Sequence, residues 1–479
     1  MEPSISKETT LDLQTELNGL LTKFSSLVSQ SIPDLFVNPP EWEGRTSTLV
    51  VTDDCNLRCT YCYITHKTKD AMTWDVAKKF IDMTFKNNEH LAGIPISDQT
   101  QFDHAKIWDF VGGEPFLESD LVFKCMEYII GKTNALPGMH PWRRGFMCKT
   151  CSPSHPILGF RFSFSTNGTL LNDPIIRQNL EKYEKYTSLG VTIDGPKDMH
   201  DLCRVYSNEF GNVGSYATVM HNWDWYRKTF PDNATNTKST ICHENLAYIN
   251  TIAKFFWEDL NMSYISMNCV FENVWHRGDQ LILFDQLCDL ADYLLLDNRW
   301  KRKGIRWFNP ILGTKDDNNG KWCGAGTHMD ACGWDGSLHP CLRFKTLDNY
   351  PSYKVGHVDD GKKDAAILAN FDVKNCHITN IQKEVTGVDC AACQVSSLCS
   401  SCQAFSYDTY GRLDVKAAFI CPMHKANVLA NMYFIGNLVG VLTKNDRDYL
   451  MLLLDDFTKD DYFGFDENGT SIPMYKNKE

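Results

Sequence analysis

Asp54-Cys55-Asn56-Leu57-Arg58-Cys59-Thr60-Tyr61-Cys62-Tyr63 follows directly on the apolar run Leu49-Val50-Val51. A short β-type run that empties into cysteines spaced x3 and x2 puts three thiolates on one tight loop at a strand's end. Zinc sites and electron-transfer 4Fe-4S clusters normally take four protein ligands. Three thiolates therefore leave one iron open to something that is not protein. Read alone, the loop also allows a closed metal site that borrows a remote fourth ligand.

The rest of the chain narrows the choice. At 479 residues with 43% hydrophobic side chains it can build two or three cored domains. A formal charge of −12 argues against nucleic-acid binding, which needs clustered Lys and Arg to displace phosphate counterions. No run approaches the ~20 apolar residues of a membrane span, and Met1-Glu2-Pro3-Ser4 lacks a charged region ahead of an apolar core. A cytoplasmic protein with no membrane partner is expected. In a reducing compartment, 19 cysteines, several at x2 spacing, favour metal ligation over disulfides.

Residues 1–45 read as a helical lead-in, with Leu13, Leu17, Leu20, Leu21, Phe24, Leu27 and Val28 at helical spacing before Pro33, Pro39 and Pro40. From 46 to 280, β-type runs alternate with helical stretches, which predicts parallel strands with crossover helices. Six strands are expected, at 47–53, 105–111, 160–166, 187–194, 236–242 and 263–270. Thr73 caps a helix whose Ala77, Phe80, Ile81 and Phe85 share an apolar face. The second strand runs into Gly112-Gly113-Glu114-Pro115, where two glycines let backbone approach a ligand closely. In the fourth, period-2 alternation sets Leu189, Val191 and Ile193 against Thr192 and Asp194. Asp194 and His200, a lone carboxylate and a lone imidazole, read as structural rather than as an acid and a base.

Between the second and third strands an insertion carries His140-Pro141-Trp142 and the pair Cys148 and Cys151, to which no ligand role is assigned. Cys125, Cys203, Cys242, Cys269, Cys288 and Cys376 sit singly in apolar contexts and read as core. Residues 281–321 form a bridging helix and linker. A second domain, 322–425, carries Cys323, Cys332, Cys341, Cys390, Cys393, Cys399, Cys402 and Cys421, followed by closing helices in 426–479. A zinc ribbon is the simpler reading of its x2-spaced pairs.

The loop from Asp54 to Tyr63 resembles that of the radical SAM enzymes, matching their Cys-x3-Cys-x2-Cys pattern and the aromatic residue before the last cysteine. The 322–425 cysteines are similar to the SPASM extension of those enzymes, with one departure: Cys399 and Cys402 are spaced x2 where x3 is usual. The resemblance implies an α/β fold, a partial (β/α)6 TIM-type barrel followed by a C-terminal SPASM iron-sulfur domain and closing helices. It implies S-adenosylmethionine bound at a [4Fe-4S] cluster on Cys55, Cys59 and Cys62. The cofactor would be held near Tyr61, by Gly112, Gly113 and Glu114 at its amino group, and by Thr192 and Arg204 at its carboxylate. Two auxiliary [4Fe-4S] clusters are implied: a distal one on Cys390, Cys393, Cys399 and Cys421, and a proximal one on Cys323, Cys341 and Cys402. Cys332 is the expected fourth proximal ligand, with an iron open to a substrate thiolate as the alternative.

The same parts look like the branch of radical SAM peptide maturases that acts on cysteine-rich, Cys-x3-repeat precursors. That implies thioether formation in a ribosomally made precursor peptide and a flavodoxin- or ferredoxin-type reductant. Sulfatase-activating relatives typically carry an aspartate after the cysteine corresponding to Cys341; Leu342 stands there. Carbon-carbon or carbon-oxygen crosslinking, epimerisation, and a non-catalytic iron-sulfur electron carrier remain the competing readings.

Overall fold

In the computed structural model, the run that precedes the cysteine loop is strand β1 (Arg45–Thr52), buried along Ser47–Thr52. The structure describes residues 15–23, 26, 45–88, 105–134, 139–141, 158–231, 236–272, 274–308, 324–327, 329–364, 366–368, 380–396, 399, 401–418, 420–458, 463–465 and 471–473. Cys148, Cys151, Cys323, Cys376, Trp142 and the 313–320 linker lie outside them.

All six expected strands form. β1 pairs in parallel with β2 (Ala105–Gly112), and β2 with β4 (Leu158–Thr166). The outer edge of β4 takes the short β3 (Met139–Pro141) near its start and β5 (Thr187–Val191) further on, both parallel. β6 (Asn236–Ile241) and β7 (Tyr264–Cys269) pair in parallel, with β8 (Gly304–Ile305) beyond them. A parallel bridge between Thr192 and Lys238 joins the two sheets. The order β1, β2, β4, β5, β6, β7 is that of an open parallel barrel with helices outside. β5 stops at Val191 rather than 194, because the chain turns at Gly195, whose φ of 115° no ordinary side chain adopts readily.

The apolar packing follows the predicted periodicities. Ala77, Phe80, Ile81 and Phe85 of the helix Trp74–Asn88 are buried, as are Val122, Met126 and Ile129 of the helix Ser119–Asn134. Phe110 and Phe164 stack at 5.3 Å, and Phe116 and Phe164 at 5.3 Å, which locks β2 and β4 at their C-terminal ends. Leu17 of the N-terminal helical residues is buried against the same core.

The sequence reading divided the chain at 322, and the sheet crosses that division. β9 (Met329–Cys332) adds in parallel to the free edge of β1, with Leu49 opposite Cys332. β10 (Ser337–His339), β11 (Gly356–His357) and β12 (Lys362–Lys363) continue it antiparallel. Ser47 Oγ donates to Asp330 Oδ1 at 2.6 Å across this seam. The helices Asp279–Leu295, Cys421–Leu438 and Arg447–Thr458 are the bridging and closing helices; the second is buried on nearly every face.

Candidate active site

The cysteine loop leaves β1 where the ladder to β2 slips between Val50 and Thr52. Its shape is fixed by backbone bonds to two neighbours. Gly113 N donates to Thr52 O (3.1 Å) and Glu114 N to Asp54 O (2.8 Å); Arg58 N donates to Val205 O (2.8 Å) and Thr60 N to Cys203 O (3.0 Å). The loop thus lies between the β2 turn and the segment that carries Arg204.

Gly112 and Gly113 have a role in this packing that the sequence did not reveal. A Cβ on Gly112 would stand 2.4 Å from Thr52 O, and one on Gly113 would stand 2.1 Å from Asp54 O and 2.8 Å from Cys55 Cβ. Any side chain there would push the cysteine loop off the barrel. Glu114 is fully buried, and burial raises its carboxyl pKa. Its Oε1 accepts from Thr166 Oγ1 (2.8 Å) and Phe116 N (3.2 Å), and its Oε2 from Asn167 N (2.8 Å). Asn167 Nδ2 donates to Asn56 Oδ1 (2.8 Å) and reaches Cys55 Sγ (3.7 Å), while Asn56 Nδ2 donates to Thr169 Oγ1 (2.8 Å). A buried amide and carboxylate network therefore carries the position of β4 into the loop.

Burial acts on two of the three thiols. Cys55 is pushed up to about 12 by burial and then by the Glu114 carboxylate. Cys59 is raised by burial, with the Arg204 guanidinium opposing. Without a cation both are thiols. They do not belong to a group tight enough to share a single ion, whereas a cubane spreads its thiolates over separate irons.

Opposite the loop, Arg204 Nη1 donates to Tyr61 Oη (2.8 Å) and lies 3.8 Å from Asp194 Oδ2; the Tyr61 hydroxyl itself hydrogen-bonds Asp194. The Arg204 side chain is 7% exposed and that of Asp194 0%. Thr240 N donates to Asp194 Oδ1 (2.9 Å), fixing the carboxylate from β6. The buried Arg204 Nε has no hydrogen-bond partner. A guanidinium held on one side by Tyr61 and Asp194, with an orphaned N–H at the cysteine loop, fits a carboxylate ligand. Thr192 lies on the same rim, its N bonded to Thr166 O (3.1 Å).

His200 is structural, as its sequence context suggested. Its Nδ1 accepts from Asp194 N (3.3 Å) and its Nε2 faces Ser215 Oγ (3.0 Å), with burial lowering its pKa to about 2. A base whose pKa falls on folding stabilises the fold above its ordinary 6.5 and destabilises it below. Between about pH 7 and pH 5 the wild type should lose roughly 2 kcal/mol of stability that a His200→Gln variant does not lose, as read by urea unfolding. Parallel losses in both proteins would count against it.

A second constellation joins the loop to the 322–425 region. Arg343 pairs with Glu272, and its guanidinium stands 5.0 Å from the Tyr63 ring and 4.9 Å from the Phe405 ring. Burial raises the pKa of the Tyr63 hydroxyl, which lies beside Cys62 and Cys341. Cys341 and Cys402 pack against the same small group, Ala325, Phe344 and Ala404. Cys332 does not: it is fully buried in the main core, and its Sγ donates to Gly333 O (3.4 Å). Cys390, Cys393 and Cys399 lie on successive turns, Cys393 N donating to Cys390 O (3.4 Å) and Cys399 N to Ser396 O (3.3 Å), and Cys421 opens its helix. Glu272 carries no motif signal, and although Tyr63 and Arg343 stand beside motif cysteines, nothing in the sequence brings the three together.

Residues 49–256, from β1 through β6 and the helix Ile249–Lys254, match the model of the Radical SAM superfamily. The chain carries a radical SAM domain. The chain is also similar to proteins matched over more of its length. It is 24% identical over 367 residues to the cysteine-type anaerobic sulfatase-maturating enzyme of Clostridium novyi, covering 73% of this chain and 85% of that protein. Over 207 residues it is 25% identical to an uncharacterised protein of Methanocaldococcus jannaschii, 43% of this chain and 56% of that one. Native anSMEcpe with bound AdoMet superimposes with a TM-score of 0.57 at 18% identity, covering 83% of this chain and 99% of that chain. The fold is thus the radical SAM fold. No helix among the described residues is long and apolar enough to cross a membrane.

Proposed function

We propose that this radical SAM enzyme is a peptide maturase that joins a cysteine sulfur to a carbon of another residue in a ribosomally made precursor peptide. The observation that carries the cofactor half of this reading is the buried, unpartnered Arg204 Nε beside the three-cysteine loop. Cys55, Cys59 and Cys62 would hold the catalytic [4Fe-4S] cluster. Arg204 would take the S-adenosylmethionine carboxylate, kept in place by Tyr61 and Asp194, with the turn at Gly112–Glu114 and Thr192 along the same rim. When bound, these cofactors supply a 5'-deoxyadenosyl radical that takes one hydrogen atom from a substrate carbon. This chain's part is to hold the loop still through Glu114, Asn167 and Asn56. It also keeps water from Arg204, whose side chain is 7% exposed.

The sulfur-to-carbon assignment is supported by two features of the second region. Leu342 follows Cys341, so no carboxylate stands at that position. Cys332 packs in the main core, away from the group on which Cys341 and Cys402 sit, which favours a proximal site with a position left for a substrate thiolate over the four-cysteine set. Cys323 and Cys341 with Cys402, and Cys390, Cys393, Cys399 and Cys421, would hold the auxiliary clusters, which would take up the one electron left when the substrate thiol gives its proton to solvent and its sulfur bonds to the carbon radical. A flavodoxin- or ferredoxin-type protein would supply electrons.

Oxidation of a single cysteine or serine side chain is the second reading, favoured by the identity to the Clostridium novyi enzyme over most of both chains. Co-expression with the cysteine-containing peptide encoded beside its gene, followed by mass spectrometry after alkylation, separates the two. The proposal expects a loss of two hydrogens per event and one fewer alkylatable thiol. A two-hydrogen loss with every thiol still alkylatable would move the assignment to carbon-carbon or carbon-oxygen crosslinking. Conversion of one residue to an aldehyde would establish the second reading.

A further inference from the structure

Two buried cysteines that the cluster assignments leave unused lie directly behind the cysteine loop. Cys203 ends the helix Lys197–Cys203, one residue before Arg204, and Cys242 follows β6. Both are fully buried, and their Sγ atoms are 3.5 Å apart. The exposed carboxylate of Glu244 brings an oxygen within 4.8 Å of both sulfurs, and among the described residues these three form the one group tight enough to share an ion.

The spacing is that of an ion's ligands. Two thiolates at Zn–S bonds of about 2.3 Å in a tetrahedron stand about 3.8 Å apart, close to the distance found. A disulfide would need the sulfurs at about 2.0 Å. The surroundings meet the other requirements of a metal site. Cys242 N donates to Asn245 Oδ1 (2.9 Å), which holds that thiol at the start of its turn. Glu244, at the surface, gives an ion a path from solvent.

We propose that Cys203, Cys242 and Glu244 form a tetrahedral site for a zinc ion, with water in the fourth position. Binding releases the two thiol protons to solvent and involves no change of oxidation state. The ion ties the end of β6 to the residue before Arg204. Because Thr60 N donates to Cys203 O (3.0 Å), it also braces the cysteine loop from behind.

The test uses the full chain with its iron-sulfur clusters reconstituted, incubated with zinc chloride and desalted. Metal analysis should find about one zinc per chain, and zinc-edge X-ray absorption about two sulfur neighbours at about 2.3 Å with lighter atoms completing the shell. A Cys203→Ala, Cys242→Ala double variant should lose that zinc and keep its iron. Since both positions are buried, the surface variant Glu244→Cys gives an independent readout: the sulfur count should rise from two to three. Absence of zinc after desalting overturns the proposal. So does a four-sulfur shell that Glu244→Cys leaves unchanged, which would place the ion on other cysteines.

Discussion

Replacing Cys55, Cys59 and Cys62 together with alanine is expected to abolish 5'-deoxyadenosine release completely, while iron bound through the 390–421 cysteines stays. The expectation rests on how the loop is held. Its backbone is fixed from the β2 turn at Gly113 and Glu114 and from the Cys203–Val205 segment, so the scaffold around the loop does not depend on the thiols. The thiols themselves are buried or partly buried, and burial raises the pKa of Cys55 and Cys59. Alanine there removes ligands and little else. Reductive cleavage of S-adenosylmethionine by the triple variant at the wild-type rate would remove the loop from the chemistry. Loss of all iron would show instead that the variant no longer folds around its second region.

Arg204→Lys carries the second large effect. Lysine keeps the charge and loses the planar fork, which is not a conservative change at a site read as bidentate. Nη1 is committed to Tyr61, with Asp194 3.8 Å away, while the buried Nε has no partner and can serve a ligand together with the rest of the fork. A single ammonium in that place must choose between Tyr61 with Asp194 and the ligand carboxylate. S-adenosylmethionine binding to the cluster-loaded protein should weaken by roughly 1.5–3 kcal/mol, the worth of one charged hydrogen bond. Calorimetry that finds unchanged affinity would assign Arg204 to the fold alone, as the partner that keeps buried Asp194 and Tyr61 satisfied.

Much of this arrangement was legible before any coordinates. The six strands, the helix face of Ala77, Phe80, Ile81 and Phe85, and the placing of Cys55, Gly112 and Thr192 at strand ends all follow from local periodicity, and the strands and helix form where they are read, β5 ending three residues early. What local pattern could not carry is contact across long sequence separation. The resemblance places Tyr61 near the cofactor as the aromatic before the last cysteine; that its hydroxyl ties Arg204 to Asp194, 133 positions on, is a property of the closed barrel. Gly112 and Gly113 read as ligand-approach glycines, and the nearer constraint is the carbonyls of Thr52 and Asp54. Cys332 was expected beside Cys341, since both lie on one hairpin. The strand period of two and the pairing of β9 with β1 put it in the main core instead. Cys203 and Cys242 read singly as core residues, and each is buried; their meeting at 3.5 Å depends on β6 closing against the helix before Arg204.

The most direct test of the account follows one hydrogen atom. The reconstituted enzyme is turned over with S-adenosylmethionine, a reductant and a precursor peptide that is deuterated at every residue except cysteine. If the site built from Cys55, Cys59, Cys62 and Arg204 generates the radical that initiates sulfur-to-carbon bond formation, the released 5'-deoxyadenosine carries one deuterium. The peptide then loses one alkylatable thiol for each deuterium transferred. Unlabelled 5'-deoxyadenosine alongside unchanged peptide thiols would contradict it.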